Sequence, residues 1–219
     1  MEGIDSTLAP APARLRAAQF IVVLFHVTGF VGLALSHDPA FYQRFTPLTL
    51  LLTLALLVAF QSQRNAAFWI FGLSVSGLGF LAEFVGVNTG QIFGNYHYGQ
   101  TLGWQYEGVP PLIGLNWLIV TYLAGMLARY LPGSPLLRLL AGALLMLLLD
   151  MCLEPVAGRF DFWHWNADII PLRNFRDWFI LACVLQYLFQ RANFVKYNPL
   201  VPLVYLVQLL FFFGLGTLR

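Results

Sequence analysis

Apolar residues along this chain occur in long runs, and short polar segments separate the runs. A helix that crosses a bilayer needs roughly 20 such residues, with about 17 to 25 as the usual range. The pattern predicts an all-α fold, a polytopic integral membrane helix bundle with about seven transmembrane helices. The predicted helices lie at residues 17–35, 45–60, 66–87, 110–131, 136–156, 174–190 and 197–218. Two longer loops, at residues 88–109 and 157–173, are expected on one side of the bundle.

The composition agrees with a membrane protein. The chain is 59% hydrophobic and only 10% charged, whereas a soluble domain carries about 25% charged residues. Such a chain cannot cover itself with a solvated surface, so we expect lipid to be its main solvent. The net charge of +2 gives no indication of a nucleic-acid partner. Neither a polar linker nor an internal repeat divides the sequence, which predicts a single domain over residues 1–219.

Three carboxylates interrupt the predicted helices. Glu83 lies in the third helix, and Asp150 and Glu154 lie near the end of the fifth. Residues four apart share one face of a helix, so Asp150 and Glu154 should face the same neighbour. Acidic residues at bilayer depth are rare and usually functional. A closely spaced pair tends to share a proton, which suits a general acid. The alternative is that Arg173, Arg176 or Asn side chains pair with these carboxylates and fix the helix packing, or that the carboxylates lie in the polar headgroup zone.

The direction of the helices brings most polar residues of the spans to one level. The third and fifth predicted helices run the same way and carry the carboxylates near their far ends, while the fourth and sixth begin at that level. The residues gathered there are Asn116, Trp117, Asn174 and Trp178, with Tyr96, Tyr98, Trp163 and Trp165 from the two loops. We therefore expect one pocket that contains the three carboxylates.

Two interpretations are open for the aromatic residues of this region. Trp and Tyr are enriched at membrane interfaces, so an interfacial belt is one. The other is a pocket whose aromatic faces stabilise a cation, by roughly 0.5 to 2 kcal/mol. The aromatic set is Tyr96, Tyr98, Trp104, Trp117, Trp163, Trp165 and Trp178. Asn88, Asn116 and Asn174 either cap helices or hold a water molecule, and capping is the favoured interpretation for Asn88 and Asn174.

The sequence gives little indication of a metal or a cofactor. The four histidines are scattered, so the His-rich clusters of membrane di-iron oxygenases are absent from the sequence. His97 and His164 could ligate a metal together, but they have no suitably spaced third ligand. Lys196 is the only lysine and lies at the start of the last predicted helix, which excludes a Schiff base in the middle of a helix. We expect chemistry without a cofactor or a metal.

Several motifs between residues 80 and 180 resemble, in order, the conserved blocks of the integral-membrane carotenoid biosynthesis proteins of the CruF type. The first block is similar to EFVGVNTG at residues 83–90, FGNYHY at 93–98, LG at 102–103 and GVP at 108–110. The later blocks are similar to Asn116-Trp117, Asp150-x-x-x-Glu154-Pro155, Trp163-His164-Trp165, and the segment from Ile170 to Trp178. As a set, these motifs are specific.

This resemblance implies a carotenoid 1,2-hydratase (1′,2′ on one-sided substrates), which adds water to the terminal C1=C2 double bond of a linear ψ-end. The implied substrates are lycopene, γ-carotene-like carotenoids or bisanhydrobacterioruberin, in a bacterial or archaeal cytoplasmic membrane, beside other carotenoid biosynthesis enzymes. In the hypothesis that follows, Asp150 or Glu154 donates a proton, and Glu83 orients or deprotonates the water. Tyr96, Trp163 and Trp165 shield and stabilise a tertiary cation, and Asn116 or Asn174 holds the water. The substrate enters sideways between helices.

Two other classes of function are open at this point. A carotenoid cyclase or isomerase would use the same acid without a change in substrate mass. A carotenoid-binding membrane protein would need an apolar groove but no acid.

Overall fold

The computed structural model describes residues 11–218 and is built almost entirely from helices. Its helices are α1 (Pro12–Leu35), α2 (Pro39–Gln43), α3 (Thr46–Phe60), α4 (Ala66–Thr89), α5 (Leu112–Ala128), α6 (Pro135–Ala157), α7 (Leu172–Arg191) and α8 (Val201–Thr217). Two short strands, β1 (Tyr96–Tyr98) and β2 (Trp163–Trp165), lie in the loops that follow α4 and α6. The prediction of an all-α fold is confirmed.

Each predicted helix corresponds to a long helix of the structure, and the short α2 was not predicted. Asp38 begins α2, because its side chain accepts a hydrogen bond from the backbone N–H of Phe41 at 3.1 Å and Pro39 occupies the first turn. Ser134 begins α6 in the same way, by accepting from the N–H of Leu137. Gly90 ends α4 in the left-handed conformation, with a φ of 64°.

Within residues 11–218, four helical stretches are long and apolar enough to cross a membrane. They are Pro12–Leu35, Pro39–Phe60, Ala66–Thr89 and Pro135–Ala157. The helices α5 and α8 are apolar but shorter, with 17 residues each. These stretches indicate a membrane protein. That all seven long helices cross the bilayer stays a prediction.

Helix α5 lies at the centre of the bundle and contacts α3, α4, α6, α7 and α8. Glycines allow its close approach to α4. A Cβ atom at Gly114 would lie 2.6 Å from the carbonyl oxygen of Ser76, and one at Gly79 would lie 2.5 Å from the Cβ atom of Trp117. Any larger residue at Gly114 would push α4 and α5 apart. This close contact brings Trp117 of α5 beside Glu83 of α4.

The two loops pair with each other as an antiparallel ribbon. Tyr96 lies opposite Trp165, and Tyr98 lies opposite Trp163. Because side chains alternate across a strand, these four aromatic residues all project towards the bundle and are buried. The intervening pair, His97 and His164, lies on the outer face, where the two rings stack with centroids 5.3 Å apart. The ribbon therefore places one aromatic layer over the ends of α4 and α6.

Candidate functional site

Glu83 of α4 is buried and accepts three hydrogen bonds. The hydroxyls of Tyr96 and Tyr98 donate to its Oε2 at 2.5 and 2.7 Å, and the indole N–H of Trp117 donates to its Oε1 at 2.9 Å. Burial and the neighbouring Glu83 carboxylate raise the pKa of both tyrosines well above the ordinary value. Both phenols therefore stay protonated and keep donating to Glu83.

Glu154 of α6 is buried in an equivalent arrangement. The indole N–H groups of Trp163 and Trp165 donate to its Oε2 at 3.3 and 2.8 Å, and the side-chain amide of Asn174 donates to its Oε1 at 2.7 Å. An indole N–H can only donate, so Glu154 acts as an acceptor on that side. The two strands and α7 thus hold this carboxylate in a fixed orientation.

Asp150 differs from both glutamates. Its side chain is only 1% exposed, and neither carboxyl oxygen has a hydrogen-bond partner among the described residues. Buried polar groups are normally paired, so an unpaired carboxyl group is a marker of function. Asp150 lines a cavity of about 430 Å³, which we call the large cavity. Asp150 therefore borders a space of the size that small-molecule sites usually have.

The walls of the large cavity are mainly apolar. They come from helices in which the sequence predicted no site residues. Side chains of α1, α2, α3 and α8 surround it, with Leu149 and Leu153 beside Asp150 on α6. The additional lining residues include Leu24, His26, Tyr42, Thr53, Gln208 and Phe211. The polar ones stand alone within apolar runs, so no spacing pattern identified them. Helices that appeared only hydrophobic in the sequence thus build most of this cavity.

A second cavity, of about 20 Å³, lies between the two glutamates, and we call it the small cavity. Glu83 and Glu154 line it, together with the four aromatic residues of the ribbon and Asn174. This volume is sufficient for about one water molecule, and the lining offers several polar partners. Asn116 and Trp178 line both cavities. The small cavity is therefore adjacent to the large cavity that contains Asp150.

Trp117 and Trp178 stack with ring centroids 3.8 Å apart and an interplanar angle of 23°. Phe93, which the sequence did not single out, stacks with Trp117 at a centroid distance of 6.2 Å and also lies 6.5 Å from Trp178. Phe93 has a φ of 64°, an unusual conformation for a bulky residue. Its backbone N–H donates to Asp177 Oδ2 at 3.0 Å, which helps to hold this conformation. The stack forms a rigid aromatic wall between α5 and α7.

The structure brings together every predicted site residue: Glu83, Tyr96, Tyr98, Asn116, Trp117, Asp150, Glu154, Trp163, Trp165, Asn174 and Trp178. Asp150 and Glu154 line adjoining cavities and share no hydrogen-bond partner. Trp104, by contrast, is 74% exposed and lies apart from the aromatic cluster.

The structure contradicts the helix-capping roles expected for Asn174 and Asn88, and also the pairing of the arginines with the carboxylates. Asn174 does not cap α7, because its amide is bound to Glu154. Asn88 does not begin a helix either, since it lies in the last turn of α4 and donates to the carbonyl of Phe84. Arg173 and Arg176 do not pair with the three carboxylates. Both contact Asp177, at 3.5 and 2.8 Å.

The outer face of the ribbon carries a separate polar cluster. Asp161 contacts His164 Nε2 at 2.8 Å and accepts from the backbone N–H of Gln100 at 2.7 Å. Partial burial acts to raise the pKa of Asp161, but these hydrogen bonds outweigh it and hold that pKa below its ordinary value. No group of three potential ligands able to hold a metal occurs in residues 11–218. The rings of His97 and His164, which the sequence did not favour as a metal pair, stack on each other.

A layer of buried carboxylates beside an apolar cavity, in an all-helical membrane protein, defines a candidate active site for an apolar substrate. The chain belongs to the family described as carotenoid biosynthesis protein, which matches residues 45–218. It is also 32% identical over 119 residues to a bisanhydrobacterioruberin hydratase of Haloarcula japonica, a match that covers 49% of this chain and 39% of that protein. No solved structure matches. These similarities confirm the resemblance to the CruF type and support a carotenoid-modifying role.

Proposed function

We propose that this chain is a carotenoid 1,2-hydratase. It adds water to the terminal C1=C2 double bond of a linear ψ-end, as in lycopene, γ-carotene or bisanhydrobacterioruberin, and yields a tertiary alcohol. The observation that carries the proposal is the position of Asp150, a buried residue with an unpaired carboxyl group that borders a large apolar cavity beside a cavity of one water's size. Family membership and the name of the Haloarcula relative support the same substrate class.

In the proposed reaction, Asp150 is the general acid. Its proton is transferred to C2 of the substrate, the π electrons of the double bond form the new C–H bond, and a tertiary cation remains at C1. No N–H or O–H group of the described residues donates to Asp150. Of the three buried carboxyl groups, it is therefore the one free to direct a proton into the large cavity. General acids of this kind contribute roughly 10² to 10⁴ in rate.

The water that captures the cation is held in the small cavity. Its oxygen bonds to C1, and its proton passes to a carboxylate, for which Glu83 and Glu154 are both in place. A proton then returns to Asp150 between turnovers, so the net change is the addition of one water. Asn116 borders both cavities and is suited to guide the water across. The enzyme needs no redox cofactor for this sequence of steps.

The aromatic wall stabilises the cation. Trp178 lines both cavities and presents its indole ring where the cation at C1 would form. An aromatic face stabilises a cation by roughly 0.5 to 2 kcal/mol, and by more when water is excluded. Trp117 stacks behind Trp178 and fixes the orientation of the ring. Elimination of a proton from the cation would regenerate the alkene, so the adjacent water favours hydration.

The substrate reaches Asp150 from the lipid side. Exposed apolar residues lie around the large cavity, among them Leu24 on α1, Phe41 on α2 and Phe45 beside α3. A long polyene dissolves in the bilayer, so one end can enter between these helices while the rest stays in lipid. The enzyme would then hydrate one end of the carotenoid at a time.

Expression in a lycopene-accumulating bacterium tests the proposal. We expect carotenoids heavier by one or two waters with the native chain, and none with Asp150→Asn at equal abundance. Asp168→Asn is the matched control, because it makes the same change at an exposed position and should hydrate normally. A shifted absorption spectrum at unchanged mass would instead identify a cyclase or an isomerase. A carotenoid that binds unchanged, with γ-carotene tested as well, would identify a binding protein.

A further inference from the structure

The end of the bundle opposite the carboxylates contains another cavity, of about 540 Å³. The last residues of α5 and α7, the first turn of α6 and the segment before α8 line it. Asn116 of the site and Arg129 of this cavity are 13 residues apart, so the cavity lies roughly 20 Å from the site, at 1.5 Å per residue. We call it the basic cavity, and nothing in the proposed hydration reaction uses it.

Among the described residues 11–218, four cationic side chains line the basic cavity and no carboxylate does. They are Arg129, Arg138, Arg191 and Lys196. In the described part of the chain, the ion pairs involve only Asp161 and Asp177, which lie at the other end of the bundle. The cations come from four different segments and converge on one concave space. Lys and Arg residues that only flank membrane helices on the cytoplasmic side, in contrast, do not need to line one cavity.

Backbone carbonyls orient these cations without neutralising them. Arg129 Nη1 donates to the carbonyl oxygen of Lys196 at 2.8 Å, Arg138 Nε to that of Leu131 at 3.2 Å, and Lys196 Nζ to that of Ala192 at 2.5 Å. Lys196 Nζ also lies 4.9 Å from the centroid of the Phe194 ring. Burial and the nearby Arg129 lower the pKa of Lys196. A bound anion would offset the repulsion between the positive charges of these side chains.

We propose that the basic cavity binds a phosphate group, and that an anionic phospholipid headgroup supplies it. Arg and Lys are the usual ligands of phosphate oxygens, and basic pockets between membrane helices bind anionic lipid headgroups. The apolar side chain of Val195, which is 39% exposed, lines the same cavity and would contact the start of the acyl chains. The amide of Gln190, also in the lining, donates to the carbonyl oxygen of Pro135 at 2.9 Å.

Native mass spectrometry of the purified chain tests this site, with phosphatidylglycerol, phosphatidylcholine and inorganic phosphate as separate probes. We expect retained phosphatidylglycerol and little phosphatidylcholine. The double variant Arg138→Gln/Lys196→Gln should lose about tenfold or more in phosphatidylglycerol affinity. Arg64→Gln is the matched control. It removes one charge near the same end, where Ser62 N–H donates to Tyr197 O at 3.4 Å, but lies outside the cavity.

The charge-preserving variant Arg138→Lys/Lys196→Arg should retain the lipid, which separates lost charge from lost folding. Binding of inorganic phosphate alone, with the same dependence on the variants, would support the phosphate site with a soluble ligand as its source. Equal losses per removed charge in Arg64→Gln and in the double variant would overturn the proposal, because general surface charge would then explain the binding. Absence of both lipid and phosphate binding would also overturn it.

Discussion

Asp150 and Glu154 lie one turn apart on α6 but have opposite hydrogen-bonding environments. Glu154 accepts three hydrogen bonds, from Trp163, Trp165 and Asn174, whereas Asp150 has no partner in the described chain. The two carboxyl groups line adjoining cavities of about 20 and 430 Å³. Pairs of titratable groups in contrasting environments are typical of acid and base roles. This difference is the basis for assigning the proton donor to Asp150.

The contrast predicts different effects of two similar substitutions on stability. Glu154→Gln places an amide NH₂ against groups that only donate, so it should lower the free energy of unfolding by about 1–3 kcal/mol. Asp150→Asn removes no hydrogen bond and should change it by less than about 1 kcal/mol. Thermal unfolding in detergent measures both. Equal losses of stability would show that Asp150 has a structural partner and would contradict its assignment as a free acid.

Trp165→Phe should reduce hydration without removing the ring. The substitution deletes the indole N–H that donates to Glu154 at 2.8 Å, and hydrogen bonds to charged groups are worth about 1.5–3 kcal/mol. We expect turnover to fall roughly tenfold or more. Trp104→Phe is the matched control, because Trp104 is 74% exposed. Product yield by chromatography measures both, and a comparable loss in Trp104→Phe would argue against a specific role for the N–H.

Gly32→Ala should weaken substrate binding in the large cavity. A Cβ atom at Gly32 of α1 would overlap the ring of Tyr42, which lines that cavity. The displaced ring should raise KM several-fold more than it lowers kcat, and overpacking should cost roughly 1–3 kcal/mol in stability. Gly77→Ala on α4 is the control, since nothing lies within 4 Å of its added methyl group. Unchanged kinetics in Gly32→Ala would show that Tyr42 does not border the substrate.

The pairing of the two loops should weaken in acid. Hydrogen bonds to Asp161 hold its pKa below the ordinary value, so the stabilisation is complete above the unfolded-state pKa of about 3.9. It is lost as the pH falls through the lower folded-state pKa. The protection factors of the ribbon amides, which correct for the slower intrinsic exchange in acid, should therefore decrease below about pH 4. Asp161→Asn should remove this pH dependence, and a variant that keeps it would show that another group titrates.

The helices were predictable because long apolar runs have few alternatives in a membrane. The convergence of Glu83 and Glu154 on one layer was also predictable, since it depends only on helix direction. The short α2 was missed because Asp38-Pro39 has the signature of a turn as well as that of a helix start. The role of Asn174 was misjudged because a residue in the first turn of a helix usually serves the backbone, and only the packing of α6 on α7 shows its contact with Glu154.

The large cavity was not predictable from the sequence. His26, Thr53 and Gln208 lie on three different helices, and each is a single polar residue in an apolar run. Whether these three residues line the same cavity depends on how α1, α3 and α8 pack. The periodicity of the sequence does not specify that packing. The same holds for Phe93, whose left-handed conformation depends on its contacts with Trp117 and Asp177.

The most direct test supplies lycopene to the purified protein in vesicles prepared in water labelled with heavy oxygen and deuterium. Hydration through Asp150 predicts a product with labelled oxygen at C1 and deuterium at C2, and no such product from Asp150→Asn. The native chain would contradict the account if its product carried no labelled oxygen. Undiminished labelled product from Asp150→Asn would contradict the assignment of Asp150 as the acid.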